Sequence, residues 1–292
     1  MKLNPQVITF LIKCPDQKGI IASLTSFFYQ EKFNIVSSQQ YTNSMENSFF
    51  MRICLTSDVA VKLSKSQLEK RFDKLARSFD IDWKVDYGDE KKNIAIMVSH
   101  TNHNLYDLLR RHKEGNLLGD VKVVISNHLK LEPIAKMFGI PFYYVPNTRE
   151  TREKQELKII QILLDNKIDL IVLARYMQIL SKDFINQFKH QIINIHHSFL
   201  PAFQGANPYK RAYERGVKII GATAHYATAD LDEGPIIEQG VERITHDGTP
   251  AYLKKIGADI ETLVLAKAVN YHLNNQIIVD ENKTVVFSET GS

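Results

Sequence analysis

Cysteine is nearly absent: only Cys14 and Cys54 occur among 292 residues, beside a single tryptophan. Two thiols are too few for a disulfide framework or a cysteine-based metal site, so both read as buried thiols in strands. No apolar run approaches the roughly 18 to 20 residues that cross a bilayer. The opening residues 1–16 carry charges on both sides of a very short apolar stretch, unlike a secretory leader. A cytoplasmic protein without a membrane partner is expected. Neither charge sign dominates, with 37 basic and 33 acidic residues for a net charge of +4. No nucleic-acid partner is therefore expected, although a mildly basic surface tolerates a small anionic substrate. The G-x-S-x-G elbow of a serine hydrolase and the H-E-x-x-H helix of a zinc protease are both missing.

What is present is a 44% apolar chain long enough for about two domains. Residues 7–14 read as a strand, and residues 19–30 place Ile20, Leu24, Phe27 and Phe28 at helical spacing. Residues 34–42 and 48–56 read as a hairpin about the turn-forming 43–47. A charged amphipathic helix at 64–79 and a strand at 81–85 complete the order βαββαβ. The polar segment 87–92 contains Gly88 and suits a linker, so the domains are read as 1–87 and 88–292. Beyond it, strands at 93–98, 121–126, 142–145 and 169–173 alternate with helical stretches. That alternation predicts an α/β fold, a largely parallel, doubly wound sheet that gathers ligands at the carboxyl ends of its strands. A long helix at 250–273 and a hairpin of 277–279 with 284–287 close the chain.

The stretch 192–239 carries the chemistry. A strand at 191–195 delivers Asn194 and runs into His196, His197 and Ser198; another at 221–226 carries His225 and leads into a turn with Asp230, Asp232, Gly234 and Pro235. Singly, Asn194 is equally an ordinary strand-end residue and His225 a satisfied core histidine. Together they supply an amide, imidazoles and carboxylates, a set suited to acid/base work and to holding an oxyanion. His196, His225 and Asp232 could be imagined around zinc, but they lack ligand spacing, and no metal is expected.

The run Asn194-Ile195-His196-His197-Ser198-Phe199-Leu200-Pro201, followed by His225 and by Asp232 within residues 230–237, resembles the signature of the folate-dependent formyltransferase family. Residues 7–85 likewise resemble an ACT domain, with Asp16 and Gly19 at its ligand-side turn. The first resemblance implies a Rossmann-like catalytic domain acting on 10-formyltetrahydrofolate, without a tightly bound cofactor. It implies that Asn194 and His196 donate to the formyl oxygen, that Asp232 accepts a proton, and that His225 orients Asp232 or a water. The pterin is then expected against Arg175, Tyr176, Met177, Gln178, Ile179 and Leu180, and against Thr228 and Asp230, although the family often has arginine where Gln178 stands. Read without the resemblance, Met177, Ile179 and Leu180 are ordinary core residues. The second resemblance implies an amino-acid effector, such as glycine or methionine, and a homo-oligomer paired through exposed sheet edges.

One departure separates this chain from family members that formylate glycinamide ribonucleotide. Those have a glycine-rich loop after the first catalytic strand, whose backbone N–H groups cradle a phosphate. The matching segment here is Ser99-His100-Thr101-Asn102-His103-Asn104-Leu105, without a glycine. His100, Asn102 and His103 are thus expected to close the nucleophile side around water, giving hydrolysis to tetrahydrofolate and formate. The alternatives are transfer to a small amine such as glycinamide ribonucleotide, or an amino-acid sensor with an inactive catalytic domain.

Overall fold

The computed structural model describes residues 7–57, 64–146, 152–202, 208–246 and 248–288. The chain divides into two compact units, one of Met1–Glu90 with Asn275–Ile278 and Val285–Ser292, the other of Lys91–Asn274 with Val279–Thr284. Residues from the final hairpin therefore group with the first unit, which a division at residue 87 or 88 does not anticipate.

In the first unit the order is β1 (Ile8–Pro15), α1 (Ile20–Gln30), β2 (Asn34–Asn43), β3 (Ser48–Thr56), α2 (Lys65–Ser78) and β4 (Asp82–Asp86). The strands form an antiparallel sheet in the order β2-β3-β1-β4. Apolar alternation along β1 turns Phe10 and Ile12 inward, where Phe10 meets Phe28 of α1 and Phe72 of α2 with ring centroids 5.2 and 4.8 Å apart. Helix α2 begins with a capping box, in which Ser64 and Gln67 satisfy each other's backbone N–H groups. Leu11 and Phe50 point to the opposite face and pack with Ile278, Val285 and Phe287, which is why the C-terminal residues join this unit. Cys14 and Cys54 are buried free thiols.

The second unit is built on β5 (Asn93–Val98), α3 (His103–Glu114), β6 (Asp120–Ser126), α4 (Glu132–Met137), β7 (Phe142–Tyr144), α5 (Arg152–Asp165), β8 (Leu170–Leu173), α6 (Lys182–Gln187), β9 (Ile192–His196), α7 (Pro208–Arg215), β10 (Ile219–Tyr226), β11 (Ile236–Arg243) and α8 (Pro250–Leu273). Its sheet runs β11-β10-β9-β8-β5-β6-β7. Strands β9, β8, β5, β6 and β7 are parallel, whereas β10 and β11 add antiparallel at the edge, so the sheet is mixed. Periodicity reports which face of a strand is buried but not its direction. Strand β11 escaped notice because Glu238, Gln239, Glu242 and Arg243 dilute its apolar pattern. Strand β5, in contrast, is buried from Ile94 to Val98, as a central parallel strand covered on both faces must be. The chain runs outward from β5 through β6 to β7 and returns to β8 on the other side of β5. This switch point opens a crevice at the carboxyl ends of β5 and β8. The last hairpin pairs β12 (Ile277–Asp280) with β13 (Lys283–Val286). Among the described residues, no helix is long and apolar enough to cross a membrane.

Candidate active site

Residues i and i+2 of a strand share a face, so β9 presents Asn194 and His196 together. The antiparallel register places His225 of β10 directly opposite Asn194. The turn after β10 then brings in Asp232, whose φ of 59° is a left-handed conformation that aspartate tolerates better than most residues. His196 Nδ1 lies 3.1 Å from Asp232 Oδ2, and His225 Nε2 lies 3.7 Å from Asp232 Oδ1. The shorter contact of His225 is to Asn194, whose Nδ2 is 3.2 Å from Nε2.

One proton position follows from these contacts. His225 Nδ1 faces the Tyr226 carbonyl at 3.0 Å, and a carbonyl can only accept, so Nδ1 carries the proton. Nε2 lies 3.2 Å from the Asn194 amide and 3.7 Å from Asp232 Oδ1, so the ring sits between the two groups. His225 thus adjoins Asn194 as well as Asp232, the group it is expected to orient. His196 Nε2 is buried and has no hydrogen-bond partner among the described residues. With Nδ1 facing Asp232, Nε2 is the ring atom left to meet an incoming oxygen.

Burial alone would push the Asp232 carboxyl up, but the hydrogen bonds and charges of His196 and His225 outweigh it and hold the group well below the usual carboxylate range. Burial, with the charges of Arg175 and His196, pushes the His197 ring down to about 4. Asp232 is consequently ionised, and His197 neutral, from about pH 5 upward. The carboxyl carbon-13 resonance of Asp232 should stay constant from about pH 8 to 5 and move only at more acid pH. A titration of that resonance centred between about pH 6 and 7 would contradict this electrostatic picture.

A second polar cluster surrounds Glu261, a carboxylate only 2% exposed on α8. Its Oε2 accepts from His103 Nε2 at 2.8 Å and Asn104 Nδ2 at 3.4 Å, and its Oε1 accepts from the Tyr209 hydroxyl at 2.9 Å. Arg175 Nε stands 3.8 Å from Oε2. Burial would raise the Glu261 carboxyl, but the His103 hydrogen bond and the Arg175 charge lower it overall, so it is ionised. Gly257, one turn earlier, makes room for Tyr209, since a Cβ there would lie 2.0 Å from the phenolic oxygen. His197 adjoins both clusters, its ring centroid 5.1 Å from that of His196 and 6.1 Å from that of Tyr209.

The other expected site residues are distributed unevenly. Tyr176 and Leu180 are buried in the sheet core, whereas Met177 and Ile179 are exposed. The Met177 N–H donates to Ser99 Oγ at 2.9 Å, and Arg152 donates to the Ile179 carbonyl at 2.7 Å, tying the 177–179 segment to its surroundings. Gln178 is half-buried on this segment, and Thr228 Oγ1 donates to the Asp230 carbonyl at 2.9 Å, shaping the turn before Asp232. His100 stacks on His128 at 3.6 Å between centroids, and Asn102 precedes α3 as its N-cap. Of the loop after β5, only His103 and Asn104 are drawn onto Glu261. Asp16 and Gly19 lie in the other unit; the Asp16 N–H donates to the Asn47 carbonyl at 2.8 Å, and Gly19 begins α1 with φ 94°. Sequence reasoning missed Glu261, Tyr209 and His197. The available signal was an acid on the buried side of α8, in register with Gly257. Among the described residues, no group of three or more His, Cys, Asp or Glu is placed to hold a metal ion.

A mixed α/β sheet with an amide, two imidazoles and a carboxylate at its strand ends defines the formyl transferase class, and the family model for formyl transferases matches residues 92–269. Over 279 residues the chain is 48% identical to a formyltetrahydrofolate deformylase of Bacillus subtilis, covering 95% of this chain and 93% of that protein. The deformylase of Escherichia coli is 38% identical over 280 residues, or 94% and 95% of the two chains. A formyltetrahydrofolate deformylase structure from Pseudomonas syringae superposes with a TM-score of 0.94 at 37% identity, over 98% of this chain and 96% of that one. A glycinamide ribonucleotide transformylase from Symbiobacterium toebii covers 68% of this chain and 95% of its own, with a TM-score of 0.63 at 28% identity. The chain belongs to the formyltetrahydrofolate deformylases of the formyl transferase family.

Proposed function

We propose that the protein hydrolyses 10-formyltetrahydrofolate to tetrahydrofolate and formate, a reaction of one-carbon metabolism. One observation carries the chemistry: His196, 3.1 Å from the Asp232 carboxylate and on the same strand face as Asn194, keeps a buried Nε2 with no hydrogen-bond partner among the described residues. In this reading the Asn194 N–H and the His196 Nε2–H receive the formyl oxygen as it becomes an oxyanion. Water attacks the formyl carbon, Asp232 takes one of its protons, and that proton passes to N10 as the C–N bond breaks. The depressed carboxyl makes Asp232 a weak resting base, so its proton is held briefly and released readily. The pterin lies against residues 175–180 and the Thr228–Asp232 turn. His100, Asn102 and His103, standing where a phosphate cradle would need glycines, disfavour a ribonucleotide acceptor.

For the first unit we propose an ACT domain. Its βαββαβ order and antiparallel sheet support this, with Asp16 and Gly19 at the turn that would take an amino acid such as glycine or methionine. The exposed edge strand β2 offers a surface for pairing in a homo-oligomer, and a cytoplasmic location fits a folate substrate.

Product analysis by mass spectrometry tests the reaction. The purified protein should release formate from 10-formyltetrahydrofolate without any acceptor, and millimolar glycinamide ribonucleotide should neither be formylated nor compete. Formylated ribonucleotide appearing at rates rivalling formate would overturn hydrolysis in favour of transfer. No turnover of either kind would leave an amino-acid sensor with an inactive catalytic domain.

A further inference from the structure

Arg175 is hard to account for as a structural residue. It is a long cation held at φ 65°, in the left-handed region that arginine rarely adopts, and its side chain is 14% exposed. Its Nε and Nη1 are buried and lack hydrogen-bond partners among the described residues. Glu261 does not consume these donors, because its oxygens are already held by His103, Asn104 and Tyr209, and Arg175 Nε remains at 3.8 Å, beyond hydrogen-bond reach. Unpaired donors on a buried guanidinium are costly in a folded protein and point to an anionic oxygen that completes them.

The surroundings of Arg175 point to which oxygen this is. Strands β8 and β9 are parallel, with Leu173 opposite Asn194. Arg175 lies two residues past the end of β8, and His197, whose ring centroid is 5.1 Å from that of His196, feels the charges of both Arg175 and His196, so the two cations flank one ring. His197, which feels the charges of Arg175, His196, Glu261 and Asp232, lies amid both clusters and is neutral. It therefore does not hold an anion electrostatically.

We propose that Arg175 is the seat of the water-derived oxygen, and hence of the formate product. This deepens the hydrolysis reading and rests on it. The attacking water forms the new C–O bond opposite the Asn194 and His196 donors and gives one proton to Asp232. When the C–N10 bond breaks and N10 takes up that proton, the carbon leaves with two oxygens. The formyl oxygen is held by Asn194 and His196, and the oxygen that came from water, having lost its remaining proton to solvent, by the Arg175 guanidinium. The Arg175 guanidinium thus acts on the one-carbon unit, while residue 175 begins the segment that lines the pterin. Glu261 opposes the anion by charge while fixing the loop residues around it.

Formate alone, titrated into the full-length protein and followed by carbon-13 line width and calorimetry, tests this without any folate. Wild-type protein should bind formate at about millimolar levels, the scale open to so small a ligand. Arg175→Gln should weaken formate by about 10-fold or more, the size of a lost charge-assisted hydrogen bond. Glu261→Gln should instead tighten formate, because it removes the competing carboxylate while keeping the side chain's shape. A merely structural role would weaken binding in both variants, and that result would overturn the proposal. So would unchanged formate affinity in Arg175→Gln, or no formate binding by wild type at about 100 mM, well above the expected range. If Arg175→Gln fails to fold, the sign of the Glu261→Gln effect decides. Failure to release formate from 10-formyltetrahydrofolate would sink hydrolysis itself, an outcome separate from any of these.

Discussion

Replacing Asp232 with asparagine should lower turnover by at least ~100-fold, the usual contribution of a positioned proton acceptor, while leaving folate affinity within a few fold. Asparagine is the informative replacement because it tolerates the left-handed backbone at this position, where φ is 59°, and nearly preserves the side-chain shape. What it removes is the charge that faces His196 at 3.1 Å and His225 at 3.7 Å. His196 loses its anionic partner, and the water loses its proton acceptor, so the variant is impaired mainly in the transition state. Single-turnover kinetics alongside equilibrium folate binding separate the two effects. Near wild-type turnover would show that Asp232 does not take the proton.

His196→Ala should cost about 100-fold or more in kcat, the scale for removing one donor to a developing oxyanion. His196 is 5% exposed and its Nε2 has no hydrogen-bond partner among the described residues, which leaves that nitrogen available to a substrate oxygen. KM should change little, because a neutral formyl oxygen gains much less from a charged donor than the oxyanion does. An effect on KM alone would make His196 a binding residue. The variant also frees Asp232 from its shorter histidine contact, which should let its carboxyl rise toward the ordinary range.

Much of the site was legible because it is local. Asn194 and His196 sit two apart on one strand, and strand alternation requires them to share a face. Their partnership with Asp232 was suggested by the resemblance and not by spacing, since the turn geometry that returns Asp232 to His196 has no periodic signature. The contact of His225 with Asn194 was not legible for a similar reason: its cross-strand partner is set by the register between β9 and β10, and register is invisible in one strand alone. Glu261 illustrates the limit most clearly. On α8 it reads as one acid among apolar residues, and only the packing of α3, α7 and the end of β8 around it turns it into the centre of a polar cluster.

By itself the sequence determined what local patterns encode. The βαββαβ order, the buried run of β5, the capping box of α2 and the delivery of polar groups at the end of β9 all follow from side-chain period and backbone preference over a few residues. Tertiary structure alone decided strand direction at the edge of the large sheet, the joining of C-terminal residues to the first unit, the hold of His225 on Asn194, and the placing of Arg175 beside Glu261. Each of these depends on how separated segments pack, and long-range packing is selected by the burial of the whole core, which no single segment's periodicity reports.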